Sequence, residues 1–151
     1  MNKKIRGIVD YYVRKYGTRD PFVLASYLNV EVQYGDMGSR SGGYMYLKKH
    51  RCIFLNENLS YNEQLMIMAH ELGHAIMHRK QNCYFIRNKT LLLNSKTERE
   101  ANIFAAELLI EDELILEHRD YTQEQLARLT GYDEKIIELR FKNSDIAVEN
   151  N

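Results

Sequence analysis

Residues His70-Glu71-Leu72-Gly73-His74 decide how this chain is organised. Histidines four residues apart lie on one face of an α-helix, about 6 Å apart along its axis. Two imidazoles placed in this way can hold one Zn²⁺, and Glu71 lies beside them, where it can take a proton from a water molecule. The pentapeptide therefore predicts a metal-dependent hydrolytic site on a helix, with His70 and His74 as metal ligands and Glu71 as general base.

The residues around the pentapeptide have the pattern of an amphipathic helix. Ser60 followed by Glu63 forms a capping box, which predicts that the helix begins at about residue 61. Apolar residues then recur at helical spacing and predict the face toward the core, namely Leu65, Met68, Ala69, Leu72 and Ile76. Gly73 costs about 1 kcal/mol relative to Ala inside a helix, and we attribute it to a close approach of the sheet.

Composition indicates one soluble globular domain. The chain has 151 residues, of which 44% are hydrophobic and 28% charged, and its net charge is +0 from 21 basic and 21 acidic residues. This balance argues against nucleic-acid binding through phosphates. A charged N-terminal stretch and the lack of an apolar run of about 20 residues predict a cytoplasmic protein with no membrane segment. Cys52 and Cys83 lack metal-ligand spacing and are expected to be buried free thiols.

The periodicity predicts an α+β, mainly helical fold with a small three-stranded sheet packed by the motif helix. We expect that sheet to be antiparallel. Strands are predicted at 30–34, 44–47 and 52–55, with turns at 38–43 and 48–51. The other helices are predicted at 3–16, 21–28, from 95 or 97 to 116, 122–130 and 133–141. One domain then spans 1–142, including the terminal helix pair 122–141, and a polar tail spans 143–151.

A catalytic zinc usually has three protein ligands and one open position, so a third ligand must come from elsewhere. His78 is excluded as the third ligand, because His70 and His78 would lie about 12 Å apart along a straight helix. Glu98 and Glu100, at the start of the next long helix, are better candidates. Glu98 has Asn102 one turn later, and such a partner can orient a ligating histidine.

Spacing alone leaves the choice between Glu98 and Glu100 open, with Glu98 first. Ser95 with Glu98, and Thr97 with Glu100, are also capping boxes, so either acid could simply close the helix end. The side chains expected to orient the metal ligands by hydrogen bonds are Asn102, Glu100 and His78. The donor that would stabilise a developing oxyanion is left open among Tyr84, Tyr132, His78 and Arg99.

Three segments together resemble the ImmA/IrrE family of zinc metallopeptidases. They read HELGHAIMH at 70–78, EREANIFAAELL at 98–109 and QLARLTGYDEKIIELR at 125–140, and the similarity covers roughly residues 5–142. The resemblance implies a gluzincin-like fold with His70, His74 and Glu98 on zinc and Glu71 as general base. It favours Glu98 over Glu100. A site with two histidines and one glutamate also accepts Mn²⁺ or Fe²⁺.

The resemblance also implies a biological role. Members of the family are bacterial or carried on phages and mobile elements, and those best understood cleave a helix-turn-helix transcriptional repressor and so relieve repression. The expected partner is therefore a protein, a repressor of this kind. The chain departs from the family at Ile110-Glu111, where Met-Pro is common. This difference affects a helix end and leaves the predicted site intact.

Two other functions compete with an endopeptidase. One is a catalytically silent partner-binding protein, such as a toxin or sensor, on the same fold. Against it, only three metal ligands are found, whereas a structural zinc site normally has four. The other is a DNA-binding module built from the helix pair 122–141. Its second helix balances three acids against three bases, which is too little positive charge for strong phosphate binding.

Overall fold

The structure, a computed structural model, describes residues 2–81 and 95–144. Their order is α1 (Lys3–Tyr16), α2 (Pro21–Tyr27), β1 (Val30–Gly35), β2 (Gly42–Leu47), β3 (His50–Asn56), α3 (Tyr61–Met77), α4 (Lys96–Leu109), α5 (Asp112–Glu117), α6 (Gln123–Thr130) and α7 (Glu134–Lys142). The predicted α+β, mainly helical fold is confirmed. The connection 82–94, with Cys83 and Tyr84, lies outside the described residues.

Helix ends occur where the sequence provides caps. Ser60 Oγ accepts a hydrogen bond from the backbone N–H of Glu63 at 3.3 Å, and α3 begins at the next residue. Thr122 and Gln125 form a reciprocal capping box at α6. Gly131 ends α6 with φ 75°, a left-handed conformation that glycine adopts without steric cost. Both ends of α6 are thus specified by local sequence.

The expectation of a wholly antiparallel sheet is wrong. The strand order is β1-β3-β2, with β2 antiparallel to β3 and β1 parallel to β3. β3 lies between the two earlier strands, and alternation of apolar and polar residues is the same for either pairing direction. The hairpin turn is also shorter than predicted. It consists of Lys48 and Lys49, with φ 51° and 66°, so His50 and Arg51 belong to β3. The turn predicted at 38–43 is shorter too, because Gly42 and Gly43 belong to β2.

Helix α3 lies between the sheet and α4. Its residues Met68 and Leu72 are fully buried, and it packs against β2, β3 and α4. Gly73 does not face the sheet, as the sequence analysis assumed. A Cβ atom at Gly73 would lie 3.1 Å from Cβ and 3.2 Å from Cδ1 of Phe104, a buried residue of α4. Glycine at this position therefore allows α3 and α4 to approach closely.

The helix predicted to reach residue 116 is broken after Leu109. Ile110 is extended, with φ −117° and ψ 95°, and α5 begins at Asp112. The cause is Arg140 of α7, which is 1% exposed and donates from Nε to the Ile110 carbonyl oxygen at 2.8 Å. Arg140 also pairs with Asp112 and lies 3.7 Å from Glu107. A buried guanidinium needs such acceptors, and the break supplies them.

Packing continues past the predicted domain boundary at residue 142. Asn143 is buried, donates from Nδ2 to Glu107 Oε1 at 2.7 Å, and accepts the backbone N–H of Asn2.

Cys52 is a buried free thiol, and burial, with Glu31 acting in the same direction, raises its pKa to about 11. Within 2–81 and 95–144, no helix has the combination of length and hydrophobicity that a membrane span requires.

Gly73→Ala should lower the free energy of unfolding by about 1 kcal/mol. The added methyl gains about 1 kcal/mol of helix propensity, but crowding against Phe104 costs about 1–3 kcal/mol. Gly7→Ala is the matched control, because Gly7 is an exposed residue of α1 and a Cβ there has nothing within 4 Å. It should stabilise by about 0.5–1 kcal/mol. Denaturant unfolding measures both, and equal stabilisation by both variants would contradict the close approach.

Asp112→Asn should destabilise the protein at neutral pH and have no effect in acid. Burial acts to raise the pKa of Asp112, but the charges of Arg140 and Arg6 outweigh it and hold the pKa below its usual value. The ionised group therefore stabilises the fold above its unfolded pKa of about 3.9, and this contribution is lost as pH falls through the lower folded pKa. We expect the free energy of unfolding to fall by about 2 kcal/mol at pH 7, and this loss to disappear once the pH lies below the folded pKa of Asp112. Urea titrations across this range, with the exposed Asp120→Asn as control, provide the measurement.

Candidate metal centre

Two neighbouring helices bring the predicted ligands together. His70 and His74 of α3 are fully buried, and Glu98 lies in the first turn of α4. Glu98 Oε2 is 3.0 Å from His70 Nε2, and Glu98 Oε1 is 3.0 Å from His74 Nε2. One ligand atom from each residue lies within 4.8 Å of the others. In the described ranges, no other group of three histidine, cysteine or acidic side chains is arranged in this way.

The donor set fits a divalent cation. Ligands at about 2.0–2.1 Å from a tetrahedral zinc ion lie roughly 3.3 Å from one another, close to the two distances of 3.0 Å. Although His74 Nε2 is near Glu98, it has no hydrogen bond of acceptable geometry within the described residues. A buried ring nitrogen in this condition normally has another partner. A cation between the three side chains would provide it.

Electrostatics in the cluster favour the charged form of Glu98. Burial acts to raise its pKa, but the interactions with His70 and His74 outweigh burial, so that the pKa of Glu98 falls well below its usual range. An ionised carboxylate beside two imidazoles is what a metal site requires, since ligands bind in their deprotonated forms.

Glu71 is buried beside this cluster without full hydrogen bonding of its carboxyl group. It is 1% exposed, and its Oε2 has no hydrogen-bond partner within the described part of the chain. Burial, with a further contribution from Glu98, raises the pKa of Glu71 to about 8, although His74 acts in the opposite direction. A buried acid with a raised pKa beside a metal-binding cluster is typical of a group that transfers protons.

His70 has a second partner on the side away from Glu98. Its Nδ1 lies 2.7 Å from Asn102 Oδ1, one turn of α4 beyond Glu98. An amide oxygen can only accept a hydrogen bond, so Nδ1 of His70 carries the proton. Nε2, which lies 3.0 Å from Glu98 Oε2, is the ring nitrogen left for a metal ion. The sequence analysis predicted this pairing of Asn102 with a ligating histidine.

His78 and Glu100 lie beside the cluster but do not belong to it. His78 is the C-cap residue of α3, and its Nδ1 is 3.0 Å from His74 Nδ1. Its Nε2 is 3.7 Å from Glu100 Oε1. Burial, the largest cause, and the neighbouring His74 lower the pKa of His78, and Glu100 acts in the opposite direction. Of the two acids that spacing left open, Glu98 contacts both histidines and Glu100 contacts His78.

The two capping boxes proposed from sequence are only partly formed. Ser95 is the N-cap of α4, and its Oγ accepts the backbone N–H of Glu98 at 3.3 Å. The Glu98 side chain is directed to the histidines and so does more than close the helix. Thr97 lies inside α4 and caps nothing. The candidates for oxyanion stabilisation remain predictions, and one of them, Tyr84, lies outside the described residues.

Sequence reasoning found all these residues but missed how His78 is held. It considered His78 and Glu100 separately and did not predict that they contact each other. The available signal was spacing, since His78 follows His74 by one turn at a helix end and Glu100 lies in the same first turn of α4 as Glu98.

The fold and the site define an α+β protein with a candidate divalent-metal centre made of two histidines and one glutamate. The sequence profile of a peptidase family, described as the IrrE N-terminal-like domain, matches residues 25–142. The chain belongs to this family, as its resemblance to the ImmA/IrrE proteins implied. Membership supports a peptidase function that involves a metal ion.

Two curated relatives agree with this assignment. Metallopeptidase ImmA of Bacillus subtilis (strain 168) is 30% identical over 124 residues, which cover 81% of this chain and 72% of that protein. Uncharacterized immunity region protein 2 of Bacillus phage phi105 is 34% identical over 139 residues, which cover 90% of this chain and 88% of that protein. The likeness therefore extends over most of each sequence.

The protein should bind one divalent cation per chain and become more stable when it does. Zn²⁺ at 100 times its dissociation constant should add about 2.7 kcal/mol to the free energy of unfolding. Glu98→Gln should remove most of this gain, because one of three ligands loses its charge. The exposed Glu113→Gln of α5 is the matched control and should retain it. Thermal unfolding with and without metal, combined with elemental analysis, provides the measurement, and an unchanged gain in Glu98→Gln would exclude this site.

Proposed function

We propose that the protein is a zinc-dependent endopeptidase that cleaves a helix-turn-helix transcriptional repressor. The observation that carries the proposal is the position of Glu71, buried and without a hydrogen-bond partner for Oε2 in the described residues, next to His70, His74 and Glu98. A purely structural metal site has no need of such an acid. Hydrolysis needs one, to accept a proton from water and release it later.

His70, His74 and Glu98 would hold the metal. A divalent cation in such a site supplies Lewis acidity, which lowers the pKa of water and polarises a peptide carbonyl. Zinc is the expected ion, and Mn²⁺ or Fe²⁺ can occupy the same donor set. Asn102 accepts from His70 Nδ1 and so leaves Nε2, beside Glu98, as the nitrogen that would bind the metal.

Glu71 acts on protons in both halves of the proposed reaction. Its carboxylate takes a proton from the attacking water while the water oxygen bonds to the peptide carbon. The same proton then passes from Glu71 to the leaving amine nitrogen as the carbon–nitrogen bond breaks. Burial raises the pKa of Glu71 to about 8, which makes the acid a better proton acceptor than an exposed glutamate, and positive charge bound nearby would favour its ionised form.

The family assignment and the relatives support a protein substrate, and the choice of a repressor follows from the resemblance. The phage relative is named for an immunity region and the bacterial relative is named a metallopeptidase. A repressor acts in the cytoplasm, which agrees with the predicted location. We further propose that residues 1–142 work as one peptidase domain, since α7 packs on α4 and Arg140 joins α7 to α5.

The terminal helix pair is a poor candidate for direct nucleic-acid binding. Arg140 is 1% exposed and occupied by internal acceptors. Lys142 lies 2.8 Å from Glu138, and Arg128 lies 3.6 Å from Glu124, so nearby acids offset both exposed cations. Binding to phosphates requires basic side chains that are exposed and clustered on one face. We therefore propose a protein substrate rather than a nucleic acid.

Glu71→Gln should bind the metal as the wild type does and cleave at least 100-fold more slowly. The amide keeps the shape of the side chain but cannot accept the proton, and such transfer is worth about 10²–10⁴-fold in rate. The assay incubates the protein with helix-turn-helix repressors encoded beside it and identifies fragments by mass spectrometry. Glu113→Gln, an exposed substitution of the same type, is the control.

Three outcomes separate the competing functions. Cleavage that is lost in Glu71→Gln and with chelator, and restored by Zn²⁺, supports the endopeptidase. Cleavage that survives either treatment would exclude Glu71 or the metal from the reaction. A repressor that is bound stably by wild-type protein loaded with metal, and is not cut, would favour the catalytically silent partner-binding alternative.

A further inference from the structure

We propose that His78 and Glu100 form a relay that fixes the tautomer and orientation of His74, and so prepares His74 to bind the metal. The proposal rests on the metal site of the proposed function. It assigns positioning roles to two residues outside the ligand cluster. The contacts that carry it are the 3.0 Å approach of His74 Nδ1 to His78 Nδ1 and the 3.7 Å approach of His78 Nε2 to Glu100 Oε1.

The first contact restricts where the protons lie. Two neutral imidazoles can share a hydrogen bond between their Nδ1 atoms only if one nitrogen carries the proton and the other offers its lone pair. If His74 binds metal through Nε2, its proton must be on Nδ1, which then donates to His78. His78 consequently carries its own proton on Nε2, the nitrogen that faces Glu100.

The second contact selects this direction over the reverse one. With the relay reversed, His78 would donate from Nδ1, and the lone pair of Nε2 would face the Glu100 carboxylate. Two electron-rich groups facing each other at 3.7 Å repel, whereas an N–H directed at a carboxylate is attracted. With a cation bound between His74 and Glu98, Glu100 therefore favours the arrangement in which His74 presents an unprotonated Nε2 to that cation.

The state of His74 Nε2 agrees with this direction. The reversed relay would place a proton on Nε2 and provide a hydrogen bond to Glu98 Oε1, which is only 3.0 Å away. No hydrogen bond of acceptable geometry joins the two, and Nε2 has no other partner within the described ranges. His74 Nε2 thus has no hydrogen bond in the described residues that a metal ion would have to displace.

The position of His78 makes it dependent on these two contacts. Its side chain is 8% exposed and borders a cavity of about 530 Å³ between α1 and the ends of α3 and α4. Ile5, Ile8 and Tyr12 of α1 line the other wall. Since this side of the ring faces a cavity, polar contacts with His74 and Glu100 set its orientation. Shortening His78 should accordingly be tolerated by the fold.

The relay gives each ligating histidine its own acceptor. Asn102 Oδ1 accepts from His70 Nδ1 at 2.7 Å, and His78 Nδ1 accepts from His74 Nδ1. Such partners on metal-bound histidines typically contribute 10–100-fold in metal affinity. Asn102 Oδ1 can only accept a hydrogen bond, whereas His78 Nδ1 can either donate or accept one. His78 therefore needs a neighbouring group that keeps its Nδ1 an acceptor. Glu100 has this role.

Zinc affinity, measured by competition with a chromophoric chelator, tests the proposal without relying on catalysis. His78→Leu should weaken binding by about 10–100-fold. His78→Asn should recover most of the loss, since its Oδ1 can occupy the place of Nδ1 and accept from His74. Glu100→Gln should weaken binding less than His78→Leu does, because an acceptor remains without its charge. His118→Leu is the matched control, since His118 contacts the Leu114 carbonyl oxygen of α5, and it should have wild-type affinity.

Nitrogen-15 NMR of the zinc-loaded wild type gives a second, independent readout. His74 should be protonated at Nδ1 and His78 at Nε2. In the metal-free protein, Glu100→Gln should increase the fraction of His78 protonated at Nδ1. Unchanged affinity in His78→Leu, or a zinc-bound His74 whose Nδ1 proton signal is the same with and without His78, would overturn the relay. If the wild type binds no zinc, the proposed function fails first, so the two failures are distinguishable.

Discussion

The close approach of α3 and α4 is the constraint on which the metal centre depends. His70 and His74 belong to one helix and Glu98 to the other, and bonds of about 2 Å to one ion tolerate little change in helix separation. Gly73 lies within the motif and faces the buried ring of Phe104, where a Cβ would lie 3.1–3.2 Å from atoms of that residue. Gly73 thus contributes to the geometry of the site as well as to the packing of the two helices.

A buried polar network fixes the other end of α4. Arg140 brings together the Ile110 carbonyl, Asp112 and Glu107, and so joins α7 to α4 and α5. Removing an acceptor from a buried guanidinium costs more than the bond itself contributes, because the charge is then left without compensation. This network holds the C-terminal end of α4, while Glu98, Glu100 and Asn102 lie in its first two turns. The stability of the fold and the geometry of the site are therefore coupled through one helix.

Local signals predicted most of the fold, and long-range contacts account for the errors. Caps at Ser60 and Thr122 and the glycine at 131 specify helix ends through bonds within a few residues, so sequence was sufficient there. The break after Leu109 depends on Arg140, 30 residues later, and no local pattern contains it. Sheet pairing failed for a similar reason, because alternation fixes which face of a strand is buried but not its neighbour. At the site, spacing proposed Glu98 and Glu100 and the family resemblance favoured Glu98, while the packing of α4 beside α3 places Glu98 against both histidines.

Two of the residues that conflict with good packing lie where the proposed chemistry takes place. Glu71 is buried with an oxygen that has no hydrogen-bond partner in the described residues, and His74 Nε2 has none of acceptable geometry. Each unsatisfied buried group costs about 1–3 kcal/mol of stability. For the carboxyl group of Glu71, burial also raises the pKa. A hydrophobic side chain of similar size at position 71 would pack without that cost. The proposed hydrolysis would supply a reason for an acid there, since the same desolvation that destabilises the fold makes Glu71 a stronger base.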